Sequence, residues 1–164
     1  MKYEQLKLDN QLCFPFYAVS RLIIREYQED LDRLGITYTQ YLVMMVLWEN
    51  DGRSVNEIAQ KLILNTNTVT PLLKRMEAMG LVNRTPSPVD QRKVVVTLTE
   101  KGKEMQEEAI EIPMRLMGKL GGYPSDDQLK EIAQLKGQLY DLIHMLENLP
   151  SYDASPETAN SHIN

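Results

Sequence analysis

The sequence is poor in cysteine, in histidine and in long apolar runs. Its 164 residues include one cysteine, Cys13, and two histidines, so no intramolecular disulfide can form and no metal site is expected. No apolar run approaches the roughly 18–20 residues of a membrane-spanning helix, and the first residues lack the apolar core of a signal peptide. We therefore expect a chain of the reducing cytoplasm that needs no metal or other cofactor and no membrane.

The composition is that of one soluble globular domain, with 43% hydrophobic and 25% charged residues. The net charge of −5 is unevenly distributed. Residues 53–103 contain nine basic and four acidic residues, a balance of +5, which leaves −10 for the remainder. A basic middle between acidic flanks indicates a polarised molecule with one side facing nucleic acid.

Apolar spacing and capping signals predict the helices. The first covers residues 8–34. Because Pro15 is tolerated only in a first turn, its regular part should start near Cys13 or bend there. Three further helices are opened by pairs with capping-box spacing, namely Thr37 with Gln40, Ser54 with Glu57 and Ser125 with Gln128.

The segment of residues 65–80 predicts a helix suited to a DNA major groove. Its apolar stripe consists of Val69, Leu72, Leu73, Met76 and Met79. Its other face carries hydrogen-bonding and cationic side chains, namely Asn65, Thr66, Asn67, Thr68, Thr70, Lys74 and Arg75. Taken alone, this segment fits an ordinary amphipathic surface helix equally well.

Two β-branched segments, residues 81–85 and 92–98, flank the turn PSPVDQ and predict a hairpin. Arg92, beside this turn, is placed to reach a minor groove, with Asp90 holding its guanidinium. Four other cations are expected to meet phosphates, namely Lys74, Arg75, Arg84 and Lys93. The order of helices followed by a basic helix and a hairpin predicts a mainly α fold of the winged helix-turn-helix type, with the hairpin as its wing.

Two helices follow the hairpin. The fifth is expected to start at Thr97 or Thr99, to be kinked by Pro113 and to end at residues 121–122. The sixth repeats leucines in a near-heptad pattern, which is more apolar surface than one small domain needs to cover itself. The tail from residue 150 has few apolar residues and no lysine or arginine, and is predicted to be disordered.

The segments RMEAMGLVNR and DQRKVVVTLTEKG, in this order of elements, resemble the MarR family of bacterial transcriptional regulators. The segments LDNQLCFPFYAVSR and LGITYTQYLVMMVLWE are similar to its redox-sensing branch, the organic hydroperoxide resistance regulators (OhrR). The resemblance spans about residues 6–148. It implies one MarR-like domain, in which dimerisation helices at 6–35 and 100–149 flank a DNA-binding part at 36–99, before the tail at 150–164. It also implies a homodimeric repressor on a palindromic operator of double-stranded DNA.

The resemblance matches Cys13 to a peroxidatic cysteine, which an organic hydroperoxide oxidises to the sulfenic acid with release of DNA. The family's cysteine-holding tyrosines map onto Tyr27 and Tyr38, with Tyr17 close by. Because the chain has no second cysteine, it resembles the one-cysteine subgroup, in which a low-molecular-weight thiol forms the mixed disulfide.

The residues support this chemistry independently. The thiolate is the reactive form of cysteine, and the start of a helix favours an anion. Tyr17 can donate to Cys13 from one turn along the same helix. Tyr27 lies about 21 Å away along that helix, at about 1.5 Å per residue, so its contact with a Cys13 requires a second chain.

Three other interpretations stay open at this point. The chain could be a MarR relative that senses a small aromatic or carboxylate ligand, with Cys13 an incidental small hydrophobe. It could be a thiol peroxidase, although no resolving cysteine or base is visible near Cys13. A helical protein-interaction module would leave the arginine-bearing hairpin unexplained. The favoured interpretation is a repressor and not an enzyme.

Overall fold

The structure is a computed structural model that describes residues 3–119, 122 and 124–149. The helices are α1 (Cys13–Leu34), α2 (Tyr38–Glu49), α3 (Val55–Lys61), α4 (Thr66–Ala78), α5 (Glu100–Ala109), α6 (Ile112–Lys119) and α7 (Asp126–Glu147). The strands are β1 (Arg53–Ser54), β2 (Val82–Pro86) and β3 (Val94–Leu98). The chain divides into two compact units, one up to residue 120 and one from residue 121. Within the described ranges, no helix is long and apolar enough to span a bilayer.

Helix α1 begins at Cys13, the first of the two possibilities that Pro15 left open. Pro15 is the third residue of the helix, where its missing N–H costs no intrahelical hydrogen bond. The preceding residues, expected to be helical from residue 8, form two short 3₁₀ turns, Glu4–Leu6 and Leu8–Asn10. Gly35 ends α1 with a φ of 67°, in the left-handed region that glycine adopts without strain.

The three predicted capping boxes are all present, at Thr37–Gln40, Ser54–Glu57 and Ser125–Gln128. In each of them the side chain of the first residue accepts from the backbone N–H three residues later, and the later side chain accepts in return. Thr99 caps α5, so the second of the two predicted starts is the observed one. Local sequence signals therefore set four helix starts.

The core of the first unit surrounds α2, which is apolar on nearly all sides. Side chains from α1, α2, α3, α4 and β3 are almost completely excluded from solvent, among them Leu31, Val43, Met44, Leu47, Ile58, Leu73, Met76 and Val96. The predicted stripe of α4 lies in this core, where Val69, Leu72, Leu73 and Met76 are buried and Met79 is half-buried. Packing thus orients the opposite face of α4 toward solvent.

The predicted hairpin is present, and a third strand extends it. The antiparallel sheet has the order β1-β3-β2, with Val82 opposite Leu98 and Arg53 opposite Val96. Strand β1 was not predicted because two residues are too short to show an alternating pattern. The strands β2 and β3 begin one and two residues later than expected, so the loop between them covers residues 87–93.

The predicted fifth helix is broken rather than kinked. Helix α5 ends at Ala109 and α6 begins at Ile112, with Pro113 in the first turn of α6. Proline cannot donate to the carbonyl four residues earlier, here that of Ala109, and its ring crowds that carbonyl. The expected end at residues 121–122 lies partly outside the described residues, since residue 121 is not described, and the tail from residue 150 also lies outside them.

Helix α7, taken by itself, exposes the predicted near-heptad stripe. Leu129, Ile132, Leu135, Leu139 and Leu146 are each at least one-third exposed. A row of five large apolar side chains on one face of a helix is the pattern of an interaction surface.

Candidate redox sensor and DNA-binding surface

Cys13 is the first residue of α1, and its side chain is exposed. Its sulfur has no hydrogen-bond partner among the described residues. The residue before it, Leu12, already has helical dihedral angles and provides no side-chain cap. The unpaired N–H groups of the first turn and the positive end of the helix dipole therefore lie beside Cys13, with no side-chain cap between them.

The N-terminal half of α1 carries further apolar and aromatic side chains that face solvent. Tyr17, four residues after Cys13 and thus on the same face, is exposed, as is Phe16. Leu12, Val19, Leu22 and Ile23, in the same part of the chain, are exposed as well. The predicted neighbour of Cys13 on its own helix therefore lies on an uncovered, largely apolar face.

The packing of α1 against α2 brings Tyr27 and Tyr38 together. Their ring centroids are 5.3 Å apart and the rings are tilted by 58°. Tyr41 joins them, with its ring centroid 6.0 Å from that of Tyr27. Trp48, further along α2, packs edge to face with Tyr41, and their ring centroids are 6.2 Å apart. Such aromatic contacts stabilise an α1–α2 pair beyond the apolar area that it buries.

The phenols of this cluster are held in their neutral form. Burial raises the pKa of Tyr27, with a further contribution from Tyr38, and burial also raises the pKa of Tyr38. The pKa of Tyr41 is raised to about 12, first by burial and then by the neighbouring Tyr27, Tyr38 and Asp30. Near neutral pH each hydroxyl keeps its proton and can donate a hydrogen bond to an anionic sulfur.

The structure does not bring Cys13 and Tyr27 together within one chain. Both lie on α1, separated by fourteen residues, which corresponds to about 21 Å along the helix axis. Beside Tyr38, an open groove of about 470 Å³ is lined by Ile24, Gln28, Asp32, Gly35, Ile36, Thr37 and Thr39. Of the tyrosine cluster, Tyr38 is therefore reachable from outside the chain.

The predicted DNA-facing side chains of α4 lie on its solvent side. Asn65, Thr66, Asn67, Thr68, Lys74 and Arg75 are exposed, and Thr70 is half-buried. Asn65 occupies the N-cap position, but its side chain makes no capping hydrogen bond. Its amide therefore remains available to donate to and accept from an outside group, as recognition of base edges requires.

The loop of residues 87–93 is braced by hydrogen bonds that position Arg92. The amide N–H groups of Ser87 and Lys93 donate to the carbonyls of Lys93 and Asp90, each at 2.8 Å. Asp90 Oδ1 accepts from both the backbone N–H and the side-chain Nε of Arg92, each at 3.1 Å. These two bonds hold the pKa of Asp90 below its usual value. The expected contact of Asp90 with Arg92 is thus present, and the Arg92 side chain is 91% exposed.

Arg84 differs from the other predicted phosphate-contacting cations. Lys74, Arg75 and Lys93 are exposed, whereas the Arg84 side chain is only 15% exposed and its Nη1 lies 3.4 Å from Glu77 Oε2. Glu77 Oε1 also accepts from the Arg84 backbone N–H, at 3.1 Å. Arg84 therefore ties β2 to α4.

Helix α4 and the wing face a common cleft of about 170 Å³. Its lining includes Thr66 and Thr70 of α4, Arg84 of β2, and Arg92 and Lys93 of the wing. These five predicted residues are thus brought to one concave, cationic surface, which is what simultaneous contact with a groove and its phosphates requires.

Two residues of this region were missed as functional candidates. Val89, the one apolar side chain in the turn PSPVDQ, is 94% exposed at the tip of the wing. An apolar residue among polar and proline residues in a turn was the sequence signal that could have identified Val89. Gln40 was predicted only as a capping residue, yet it is buried and also contacts Met79. Sequence carried no signal for that contact, which joins residues 39 positions apart.

Comparisons with known proteins agree with this arrangement. The family model described as Transcriptional regulator SarA/Rot matches residues 25–109. The chain is 41% identical over 145 residues to the organic hydroperoxide resistance transcriptional regulator of Bacillus subtilis (strain 168), covering 88% of this chain and 95% of that protein.

Solved structures of AbfR, a protein of Staphylococcus epidermidis, are also similar. Reduced AbfR bound to DNA is 40% identical with a TM-score of 0.66, covering 87% of this chain and 99% of that chain. Disulfide-formed AbfR is 39% identical with a TM-score of 0.62, covering 90% of this chain and 97% of that chain.

Proposed function

This chain belongs to the MarR-type winged-helix transcriptional regulators, in the branch of the organic hydroperoxide resistance regulators, and we propose that it represses transcription until an organic hydroperoxide oxidises Cys13. The observation that carries the proposal is the position of the one cysteine. It stands exposed at the start of α1, while the tyrosine cluster of the same chain lies about 21 Å away along the helix. A second chain can bring the two together.

Binding to double-stranded DNA is supported by the polar face of α4 and by the anchored Arg92. In a dimer the two α4 helices enter successive major grooves about 34–36 Å apart, and the two wings reach the flanking minor grooves. A two-fold symmetric protein reads a palindromic operator. The exposed cations Lys74, Arg75 and Lys93 neutralise backbone phosphates, so affinity depends on salt.

Homodimerisation is supported by two exposed apolar surfaces. One is the N-terminal half of α1, and the other is the stripe of α7. We propose that residues 6–35 and 100–149 form the dimerisation helices and that residues 36–99 form the DNA-binding part. Burial of these two surfaces against a second copy of the chain would explain why they are apolar.

The sensor chemistry requires one peroxide molecule per Cys13. The thiolate attacks one peroxide oxygen, the O–O bond breaks, and the products are Cys13–SOH and the alcohol, once the alkoxide has taken a proton. A low-molecular-weight thiol then condenses with the sulfenic acid, giving a mixed disulfide and water. The neutral phenols of Tyr27 and Tyr38 donate hydrogen bonds to the partner's thiolate, and Tyr17 assists from its own helix.

Oxidation replaces an anionic sulfur by a neutral, larger group, which breaks the hydrogen bonds from the phenols. The two chains then shift relative to each other, and the α4 helices lose the spacing of the operator. The protein consumes its peroxide once and stays oxidised until a thiol reduces it. It therefore acts as a sensor and not as an enzyme.

The test measures binding of the purified dimer to DNA from the region upstream of its own gene, by fluorescence anisotropy at low salt. Wild-type protein should bind and should be released by cumene hydroperoxide, whereas Cys13→Ser should bind and remain bound. Absence of binding at low salt would overturn the assignment to DNA. Wild-type protein that is released by salicylate but not by peroxide would indicate a ligand-sensing repressor. Rapid peroxide turnover with a thiol reductant in protein that does not release DNA would indicate a peroxidase.

A further inference from the structure

Gln40 is a buried polar residue in the first turn of α2, between Tyr38 and Tyr41. Its side chain is buried, with the residue 5% exposed. The amide oxygen accepts from the backbone N–H of Thr37 at 2.8 Å, as the capping box requires. The amide nitrogen lies 3.5 Å from the sulfur of Met79, to which it donates. Both ends of this amide are therefore partnered inside the protein.

The capping box of α2 differs from the other two in this respect. In α3 the same position is Glu57, which accepts from Ser54 and has no N–H to donate. In α7 it is Gln128, whose residue is exposed and whose amide nitrogen has no partner among the described residues. A capping box needs only the acceptor oxygen. In α2 the additional donor joins the box to another element.

That element is the C-terminal cap of α4. Met79 is the capping residue, and Gly80 follows it with a φ of 72°. Helix α5 holds the same cap from its own side, since Lys101 Nζ donates to the Met79 carbonyl at 3.0 Å and Thr99 Oγ1 to the Gly80 carbonyl at 2.6 Å. The end of the DNA-facing helix is thus attached to α2 through Gln40 and to α5 through two hydrogen bonds.

The other end of α2 is attached to α5. Trp48, near the C-terminus of α2, donates from Nε1 to the Gly102 carbonyl at 2.9 Å. Tyr38 and Tyr41, in contrast, lie in the first turn of α2, beside Gln40. A force on these tyrosines therefore acts on the end of α2 that holds the α4 cap, while the opposite end stays hydrogen-bonded to α5.

We propose that Gln40 is a positioning residue that transmits displacement of the tyrosine cluster to α4 through its contact with Met79. The inference rests on the proposed function, because it supplies the step between Cys13 oxidation and movement of the DNA-facing helix. It concerns coupling only: Gln40 contacts neither Cys13 nor DNA. Loss of the Gln40–Met79 contact should leave both the reduced and the oxidised form accessible. It should weaken the coupling between oxidation of Cys13 and movement of α4.

The test compares Met79→Leu with Met76→Leu in the full-length dimer. Both substitutions exchange methionine for leucine in α4 or its cap at nearly constant volume, and of the two residues only Met79 accepts a hydrogen bond from Gln40. Gln40→Glu is the second variant, since it keeps the capping oxygen and removes the donor. Each protein is titrated onto operator DNA before and after cumene hydroperoxide, and dimedone labelling measures the rate of Cys13 oxidation.

Met79→Leu and Gln40→Glu should oxidise at the wild-type rate and, when reduced, bind DNA within about threefold of wild type. Their loss of affinity on oxidation should be smaller than that of wild type by roughly tenfold, a typical size for coupling between two sites. Met76→Leu should behave as wild type. The emission of Trp48, the one tryptophan, should change on oxidation in all four proteins, because its ring contacts that of Tyr41 and therefore reports movement of the tyrosine cluster rather than of α4.

Three results would overturn the inference. The first is an unchanged peroxide response in both contact variants. The second is an equal loss of affinity in the reduced and oxidised forms, which marks a merely structural role. In the third, wild-type protein itself fails to release DNA on oxidation, and the proposed function falls together with the inference. The wild-type titration therefore distinguishes failure of the coupling step from failure of the sensor.

Discussion

The rings of Tyr27 and Tyr38 lie 5.3 Å apart at the junction of α1 and α2, whereas Cys13 stands at the far end of α1. The fourteen residues between Cys13 and Tyr27 span about 21 Å of helix. This relationship permits a contact between the thiol and the phenols only across two chains. The sensor that we propose is therefore shared, and each site takes its sulfur from one chain and its phenols from the other.

Mixed dimers test that arrangement. In a dimer of one Cys13→Ser chain and one Tyr27→Phe chain, the remaining cysteine faces an intact Tyr27 across the interface, so one complete site survives. In a dimer of one wild-type chain and one chain carrying both substitutions, the remaining cysteine faces phenylalanine. We expect faster dimedone labelling after peroxide in the first dimer, by roughly the tenfold that a lost hydrogen bond to a charged group represents.

The opposite order of labelling rates would place cysteine and tyrosine in the same chain. Differentially tagged chains purified in two affinity steps supply the two dimers, and the homodimer of Cys13→Ser gives the background. Equal rates would remove Tyr27 from the sensor altogether.

The wing provides a second prediction. Arg92→Ala should weaken operator binding by about 1–3 kcal/mol, or roughly tenfold or more, since it removes an exposed and prepositioned cation. Asp90→Asn should also weaken specific binding although it makes the protein more positive, because a neutral amide oxygen accepts more weakly than the carboxylate from the backbone N–H and the Nε of Arg92. Lys130→Ala, an exposed lysine of α7, is the control. Tighter specific binding by Asp90→Asn would show that net charge, and not placement, decides affinity.

The apolar stripe of α7 provides a third prediction. Leu135→Glu together with Leu139→Glu should raise the dimer dissociation constant by at least about a hundredfold, because burying one leucine is worth roughly 1.5–3 kcal/mol. Sedimentation equilibrium measures the constant. Gln134→Glu adds one negative charge on the opposite face of α7 and should leave the dimer intact. A double variant that remains dimeric at micromolar concentration would remove α7 from the interface.

The tyrosine cluster predicts a loss of stability at alkaline pH. The pKa of Tyr41 is about 12 in the folded chain and about 10 in an unfolded one. Because the folded pKa is the higher, the contribution of Tyr41 to stability is fully present below pH ~10 and is lost as the pH rises toward 12. Tyr41→Phe should therefore show a smaller decline in urea-unfolding free energy between pH 9 and 11 than wild type.

Tyr140→Phe, which alters an exposed tyrosine of α7, serves as the comparison for that experiment. If Tyr41→Phe and Tyr140→Phe decline equally steeply with pH, burial of the Tyr41 phenol does not govern the alkaline transition.

The elements that local chemistry determines were predictable from the sequence. Capping boxes such as Thr37–Gln40 combine a donor and an acceptor three residues apart, and the chain itself displays that spacing. The stripe of α4 was equally visible, because its residues repeat with the helical period. The contact of Asp90 with Arg92 was predictable for the same reason, since the two residues are neighbours in one turn.

The remaining features depend on contacts between distant segments. Strand β1 is too short to show the alternating pattern of a strand, and its partner β3 lies about forty residues away in the sequence. The break before α6 was hidden because the apolar positions Met105, Ala109 and Ile112 continue the helical spacing across it. The charge of Arg84 was visible, but its pairing with Glu77 arises only when β2 folds back on α4. The Gln40–Met79 contact is hidden in the same way.

One measurement tests the central claim most directly. Operator-bound protein is titrated with cumene hydroperoxide, and in each sample fluorescence anisotropy gives the fraction of DNA released while mass spectrometry gives the fraction of Cys13 oxidised. The account predicts that release rises with Cys13 oxidation, reverses with a thiol reductant, and is absent in Cys13→Ser. Wild-type protein that stays bound with Cys13 fully oxidised, or Cys13→Ser that is released at the same peroxide concentration, would contradict it.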